Sequence, residues 1–335
     1  MKAAVLEARD RLGLSDVSVP ALEPGDMLIR MRAAAICGTD IRIWRGRKTK
    51  GVRFPSILGH EFSGDIVETG GQPGWTVGDR VAVCPALPCG QCTHCRSGAT
   101  NICEALIAYG YELDGGFAEF IRVPKAFVDA GNVFRVPEHL PFEQAALAEP
   151  LACVINGQSL MANLEGKSVA VLGTGPIGLL HVMLARHVGA AEVIAVQRSA
   201  HRREAAVALG ADRAVTPQEA EALAVDASIV AVGAPELANL ATRITNPRGR
   251  ISLFAGFPVG VETAFDLNAV HYREQTVTGA FGLTRTQFQQ ALALIASGDL
   301  QVERLISHRL PLAHAMDAFA LAEQGSALKV VVTNV

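Results

Sequence analysis

The hexapeptide Gly173-Thr174-Gly175-Pro176-Ile177-Gly178 follows an apolar run, Ser168 to Leu172, and opens a second apolar stretch, Pro176 to Val188. G-x-G-x-x-G is weak in isolation. Between a strand and a helix, however, its glycines permit a tight turn, close approach of backbone to a pyrophosphate and close helix packing, with the helix N-terminus facing the phosphates. Glu192 to Val196 reads as a second strand and completes one βαβ unit. A helix at His201 to Leu209 and strands at Ala227 to Val232, Arg250 to Phe254 and Thr276 to Ala280 continue the alternation, which predicts a parallel sheet covered on both faces. Gly173, Gly175, Pro176, Ile177 and Gly178 are therefore the expected dinucleotide contacts. The plainer alternative is a glycine turn in a ligand-free α/β sheet.

About 20 residues past such a loop an acidic side chain usually holds both ribose hydroxyls. This chain has Gln197 there, followed by Arg198, Ser199, Arg202 and Arg203. The carboxylate that would repel a 2'-phosphate is absent and cations are at hand, so Gln197, Arg198 and Arg202 favour NADP(H) over NAD(H). The opposing reading is a solvated helix start, with Gln197 still accepting NAD.

Ahead of Leu151 the texture differs, with short β-like runs (Met27 to Ala33, Ser63 to Glu68, Arg80 to Val83) broken by Gly and Pro. After the alternating segment come a helix at Gln287 to Ala296 and a tail ending in a strand, Leu328 to Thr333. The 335 residues are half hydrophobic, and 30 Lys+Arg against 33 Asp+Glu form no basic face. Nucleic acid and anionic membrane are thus unlikely partners by charge, and a small molecule is the expected one. No run approaches the ~20 uninterrupted apolar residues of a membrane span, and Lys2, Glu7, Arg9 and Asp10 interrupt any signal core, so the expected location is cytoplasmic.

Seven cysteines in a reducing compartment argue against a disulfide framework. Cys89, Cys92, Cys95 and Cys103 instead form C-x2-C-x2-C-x7-C in a segment too polar for a core of its own. Four thiolates on Zn2+ would fold such a lobe outright, because metal binding becomes folding free energy. An iron–sulfur cluster is the sharper rival and free surface cysteines the plainer one; Glu104 rather than proline after the fourth cysteine weakens the cluster. Cys84 and Cys153 read as small buried hydrophobes. A second donor set is scattered through the chain: Cys37-Gly38-Thr39-Asp40, Gly59-His60-Glu61 and Glu149-Pro150. Each is unremarkable singly, but zinc acting as a Lewis acid on a hydroxyl would suit hydride transfer to a nicotinamide.

The ordered set C-G-T-D (37 to 40), G-H-E (59 to 61), four cysteines (89 to 103), D-G-G-F-A-E (114 to 119), E-P (149 to 150) and G-T-G-P-I-G (173 to 178) resembles the zinc-dependent medium-chain dehydrogenases over nearly the whole chain. Within them it is similar to the polyol branch, which holds sorbitol/L-iditol and galactitol-phosphate dehydrogenases, with threonine dehydrogenase a neighbour. The resemblance implies an α/β chain: a GroES-like β-rich catalytic domain over 1–154 with a structural zinc lobe at 84–104, a Rossmann doubly wound parallel-sheet coenzyme domain over 155–280, and a segment 281–335 returning to the catalytic domain. It also implies a homodimer or homotetramer. Cys37 and His60 would be catalytic zinc ligands, with Glu61 or Glu149 the third and the other acid bonded to the zinc water. Thr39 would bond the substrate hydroxyl and start proton transfer, and Asp40 would orient His60. Gly282-Leu283 stands where sorbitol dehydrogenases tend to carry an Arg-Tyr pair, which argues against sorbitol itself. Arg45, Arg47, Lys48, Lys50 and Arg53 crowd the segment after Cys37, suiting either an acidic or phosphorylated polyol or a merely solvated loop. The expected activity is a zinc-dependent NAD(P) oxidoreductase interconverting a secondary alcohol of a polyol with its ketone. The rivals are an L-threonine 3-dehydrogenase-like enzyme and a non-catalytic, zinc-stapled dinucleotide-binding protein.

Overall fold

The computed structural model describes residues 1–262 and 265–334. The chain forms two compact units, Met1–Ala152 together with Leu283–Val335, and Cys153–Gly282, where the expected seams lay after residues 154 and 280.

In the first unit a seven-stranded sheet is built around Met27–Ala35. That strand is buried along most of its length, with only Arg30 exposed, because it pairs with Glu61–Glu68, Phe120–Val123 and Lys329–Thr333. A smaller sheet of Arg11–Asp16, Lys2–Ala8 and Ser56–Ile57 packs its apolar residues on the same core. Aromatic side chains fix that core by edge-to-face contact: Phe62 meets Tyr109 at 5.1 Å and Phe117 meets Phe319 at 5.0 Å between centroids. Phe319 comes from the helix Ala315–Gln324, and the tail strand Lys329–Thr333 aligns Val331 with Ala35. The C-terminal segment is thus part of the first unit's core. The cysteine segment is bracketed by a two-stranded hairpin, Ala86–Leu87 with Ile107–Ala108, and holds only a turn of helix, Thr93–Arg96, and a 3-10 turn, Thr100–Ile102.

The second unit is a six-stranded sheet with strands in the order Arg213–Val215, Glu192–Val196, Ser168–Leu172, Val225–Val230, Thr245–Leu253, Thr276–Gly279, all pairings parallel. This is the doubly wound 3-2-1-4-5-6 order. Its direction reverses between Ser168–Leu172 and Val225–Val230, and beyond the carboxyl ends of strands at such a point lies the usual ligand crevice. Val169 to Leu172 are fully buried, as a strand covered on both faces requires. Two elements start earlier than their apolar runs suggest. Val225 already pairs with Thr245 while Ala227 pairs with Arg250, so Asn246-Pro247-Arg248-Gly249, which reads as a turn, is an irregularity within the ladder. Among the described residues no helix is long and apolar enough to cross a membrane.

Candidate functional site

Cys37 caps the short helix Gly38–Trp44. Its sulfur accepts from the Thr39 amide at 3.4 Å, while Asp40 Oδ2 accepts from the Cys37 amide at 2.9 Å, so the cap fixes cysteine and aspartate together. Across the sheet Ala35 pairs with Glu61, which brings His60 and Glu61 to the start of that helix. One donor atom each from Cys37, His60 and Glu61 lies within 4.8 Å of the other two. His60 Nδ1 is 3.5 Å from Asp40 Oδ1, within ion-pair reach but outside a well-directed hydrogen bond. Burial disfavours protonation of His60, yet the Asp40 carboxylate and the Cys37 sulfur outweigh it and hold the imidazole well above its ordinary range. Such a cluster calls for positive charge. Sulfur, nitrogen and carboxylate oxygen at this spacing suit a three-donor zinc site with a position left for water or substrate.

Lys329 and Tyr111 join this group without any local sequence signal. Lys329, buried, reaches both carboxylate oxygens of Glu61, at 2.8 and 2.6 Å, and donates to the Ile36 carbonyl at 3.0 Å. Burial alone would favour neutral lysine, but Glu61 reverses the direction and keeps the ammonium charged. A lysine heading the strand K-V-V-V-T reads as an edge device; only the pairing of Val331 with Ala35 carries it inside. The Tyr111 ring lies 5.9 Å from that of His60, and burial pushes its phenol up to about 12. Glu149 is buried, and its charge acts on Tyr111 and Lys329, but its carboxylate lies outside the Cys37, His60 and Glu61 group. Thr39 is buried, and its Oγ1 accepts from Arg42 at 2.8 Å.

In the lobe, Cys92 Sγ is 3.5 Å from Cys95 Sγ and 3.9 Å from Cys103 Sγ, and Cys89 is 3.9 Å from Cys95. Sulfurs held at about 2.3 Å from a tetrahedral zinc stand roughly 3.8 Å apart, so the spacing fits the ion. All are free thiols. Backbone amides of Cys95 and Glu104 point at the Cys92 sulfur and lower its pKa, while desolvation and the neighbouring sulfurs raise that of Cys95, so the thiols of the group share protons. Cys84, outside this group, is buried, and burial pushes its thiol up to about 12.

The glycine loop begins at Gly173, φ 93°, where a Cβ would sit 2.6 Å from Val232 Cγ1; at Gly178 it would sit 1.9 Å from the Gly173 carbonyl oxygen. A Cβ on Gly175 would meet nothing within 4 Å, so the helix Pro176–His187 starts at an open concavity with no side-chain cap on its first amides. Free amides at such an open helix start fit a pyrophosphate. Gln197 Oε1 accepts from the amides of Arg198 at 2.8 Å and Ser199 at 3.4 Å. Arg203 donates to the carbonyls of Gln197 and Arg198, which makes it a clamp on this turn rather than a phosphate ligand. Arg198 is exposed and Arg202 half-buried.

The family models for the alcohol dehydrogenase GroES-like domain and the zinc-binding dehydrogenase match residues 23–137 and 176–297. The L-threonine 3-dehydrogenase of Pyrococcus furiosus is 34% identical over 98% of this chain and 97% of its own. Among solved structures, a zinc-binding dehydrogenase of Sinorhizobium meliloti bound to NADP is 33% identical with a TM-score of 0.92, covering 99% of this chain and 98% of that one. Galactitol-1-phosphate dehydrogenase of Escherichia coli is 25% identical with a TM-score of 0.89, covering 99% and 100%. The donor groups, the doubly wound sheet and these matches over almost the full length agree, and the chain belongs to the zinc-dependent medium-chain dehydrogenases.

Proposed function

We propose that the chain is an NAD(P) oxidoreductase that interconverts a secondary alcohol of a polyol or related small hydroxylated molecule with its ketone. The observation that carries this reading is the convergence of Cys37, His60 and Glu61 on one buried point of a chain that also holds an open glycine-loop cradle. Cys37 and His60 would hold zinc, with Glu61 as third donor by proximity and Glu149 as the acid beside the water; Cys89, Cys92, Cys95 and Cys103 would hold the structural ion. When bound, zinc supplies Lewis acidity toward a hydroxyl and the nicotinamide supplies a hydride acceptor.

The chain's own residues then do the positioning. Arg42, by donating to Thr39 Oγ1, orients that hydroxyl so that its lone pairs and proton are presented in a fixed direction to the substrate oxygen. Asp40 faces His60 and keeps its ring oriented. Lys329 balances the charge of Glu61, so the carboxylate is not left uncompensated beside the Cys37 sulfur. Gln197, Arg198 and Arg202 support NADP(H) over NAD(H), in keeping with the NADP bound to the Sinorhizobium relative. Assembly as a homodimer or homotetramer belongs to the same proposal.

A second reading has specific support: the P. furiosus relative is an L-threonine 3-dehydrogenase. The zinc-loaded protein is incubated with sorbitol, galactitol, galactitol 1-phosphate, L-idonate and L-threonine and each oxidised coenzyme, following absorbance near 340 nm with and without chelator. Chelator-sensitive turnover of a polyol supports the first reading. Turnover of L-threonine alone decides for the second, and coenzyme binding without any turnover leaves a binding module and overturns both.

A further inference from the structure

The six cations between Cys37 and Arg53, namely Arg42 and the five from Arg45 onward, are not equivalent in space. Arg45 pairs with Asp10 and Glu323 and lies over the Trp44 ring, and Arg53 pairs with Asp114, so both are neutralised. Arg47 and Lys50 are exposed, as a solvated loop predicts. Lys48 is different. Its amide and that of Arg47 both donate to the Arg42 carbonyl, wrapping the loop back over the end of the helix that Cys37 caps. Its ammonium stands 5.0 Å from the centre of the Tyr111 ring, the same ring that neighbours His60.

The second cation is Arg42, whose Nη2 is anchored on Thr39 and whose remaining donors have no carboxylate within ion-pair distance among the described residues. Lys48 likewise has none within that distance; Glu112 is the carboxylate that acts on it, and one of its oxygens accepts from the Ala108 amide. Half-burial holds the Lys48 ammonium below its ordinary range, Arg42 pushes the same way, and Cys37 with Glu112 pulls it back. Arg42 is exposed to solvent, but Lys48 is held half out of water with no ion-pair partner, only the Tyr111 ring and the field of Cys37 and Glu112, so an arriving anion would offset part of its desolvation cost.

We propose that Lys48 and Arg42 form an anion subsite beside Cys37 and Thr39, and that the substrate is a small hydroxylated molecule carrying a carboxylate or a phosphate. The inference rests on the oxidoreductase reading and narrows it. A neutral polyol would leave both cations without an ion-pair partner, whereas an aldonate, a polyol phosphate or an amino acid would place its oxyanion on them while a hydroxyl reaches Thr39. Lys48 and Arg42 would then set specificity, and Thr39 contacts the reacting group.

The test uses zinc-loaded wild type, Lys48→Gln and Lys48→Arg with compounds paired without and with an oxyanion, called neutral and anionic for that group alone: galactitol and galactitol 1-phosphate, L-iditol and L-idonate, and L-threoninamide and L-threonine, which share the ammonium. The pairs separate phosphate from carboxylate. The expected result is that the anionic member of at least one pair is preferred by wild type. Lys48→Gln should lower the anionic-to-neutral ratio of kcat/KM about ten- to a hundredfold, the scale of one charged hydrogen bond, mainly through KM, and Lys48→Arg should retain it. Preference for the neutral member in every pair, or a ratio unmoved by Lys48→Gln, overturns the subsite while leaving the oxidoreductase reading standing. If nothing is turned over, that reading fails and calorimetric titration with inorganic phosphate and with acetate decides the subsite separately: binding weakened at least about tenfold in Lys48→Gln upholds it, and equal binding overturns it. Circular dichroism melting checks that both variants are folded.

Discussion

The two metal-donor groups of the first unit are built in opposite ways. Cys89, Cys92, Cys95 and Cys103 come from one short segment with almost no secondary structure, four like donors at 3.5 to 3.9 Å spacings, half-exposed for the most part. Cys37, His60 and Glu61 come from a helix cap and a strand start, three unlike donors, with Lys329 arriving from the far end of the chain. The first group has four equivalent ligands and no place for a fifth partner, which is how a metal substitutes for a core. The second is three-sided, buried and electrostatically compensated, which is how a fold prepares a metal to meet a substrate. On the proposed roles, the group that would hold structure together is legible as a motif, whereas the group that would perform chemistry is supported by residues no motif contains.

The largest break in this comparison should come from Cys95→Ser. The lobe has no alternative core, so one zinc per chain should be lost and the segment around 84–104 should become protease-sensitive, a loss on the ~10 kcal/mol scale of structural zinc for the lobe itself. Metal analysis with limited proteolysis reads it, and a stable, zinc-replete variant would refute the staple. Cys37→Ser should do the converse. Turnover should fall by roughly a thousandfold, several kcal/mol of lost electrophilic assistance, while lobe zinc and melting behaviour stay near wild type. Third, Lys329→Met leaves Glu61 buried without a counter-charge, which should cost about 3–5 kcal/mol in urea unfolding, and Glu61→Gln in the same chain should recover much of it. No recovery would mean that Lys329 acts by packing alone.

Smaller effects test the contiguous glycine-loop site. Gln197→Asp places a carboxylate at the turn held by Arg203, and coenzyme preference should move toward NAD by about tenfold, the effect of one repulsive charge at a 2'-phosphate. An unchanged ratio would remove Gln197 from cofactor choice. His181, on the helix that the loop opens, is fully buried, and burial alone lowers it to about 3, with its ring edge-on to Phe254 at 4.5 Å. Its folded-state pKa lies below the unfolded value, so its contribution is complete above about pH 6.5 and drains away as pH falls toward 3, by at most about 1.4 kcal/mol per pH unit. His181→Gln should flatten that part of the acid-stability curve.

Much of the fold was readable because strands and helices of the coenzyme unit announce themselves by apolar runs and glycine punctuation. Ser168–Leu172, Glu192–Val196 and Arg80–Val83 begin and end where their side chains change character. The stretch 245–249 was not readable as strand: Asn246-Pro247-Arg248-Gly249 is turn chemistry, and it joins the ladder only because Thr245 is captured by Val225 next door. Among site residues, Cys37, His60 and Glu61 were visible as types, but their union depended on the register that sets Ala35 against Glu61. Lys329, Tyr111 and Arg42 carried no signal, since a lysine, a tyrosine and an arginine are each ordinary surface residues until a partner meets them: Glu61, 268 positions from Lys329, His60, 51 positions from Tyr111, and Thr39, one helical turn from Arg42.

By itself the sequence determined everything that depends on neighbours along the chain: the four-thiol staple, the glycine turn, and the αβ alternation, because short-range sterics and metal-ligand spacing act within a few residues. The tertiary structure alone decided that Glu61 rather than Glu149 lies within reach of Cys37 and His60, which of the clustered cations after Cys37 lack an ion-pair partner, and why a tail lysine is buried. Those outcomes follow from strand register and burial, where a shift of one residue turns a side chain to the opposite face and the cost of an unpaired buried charge selects its partner.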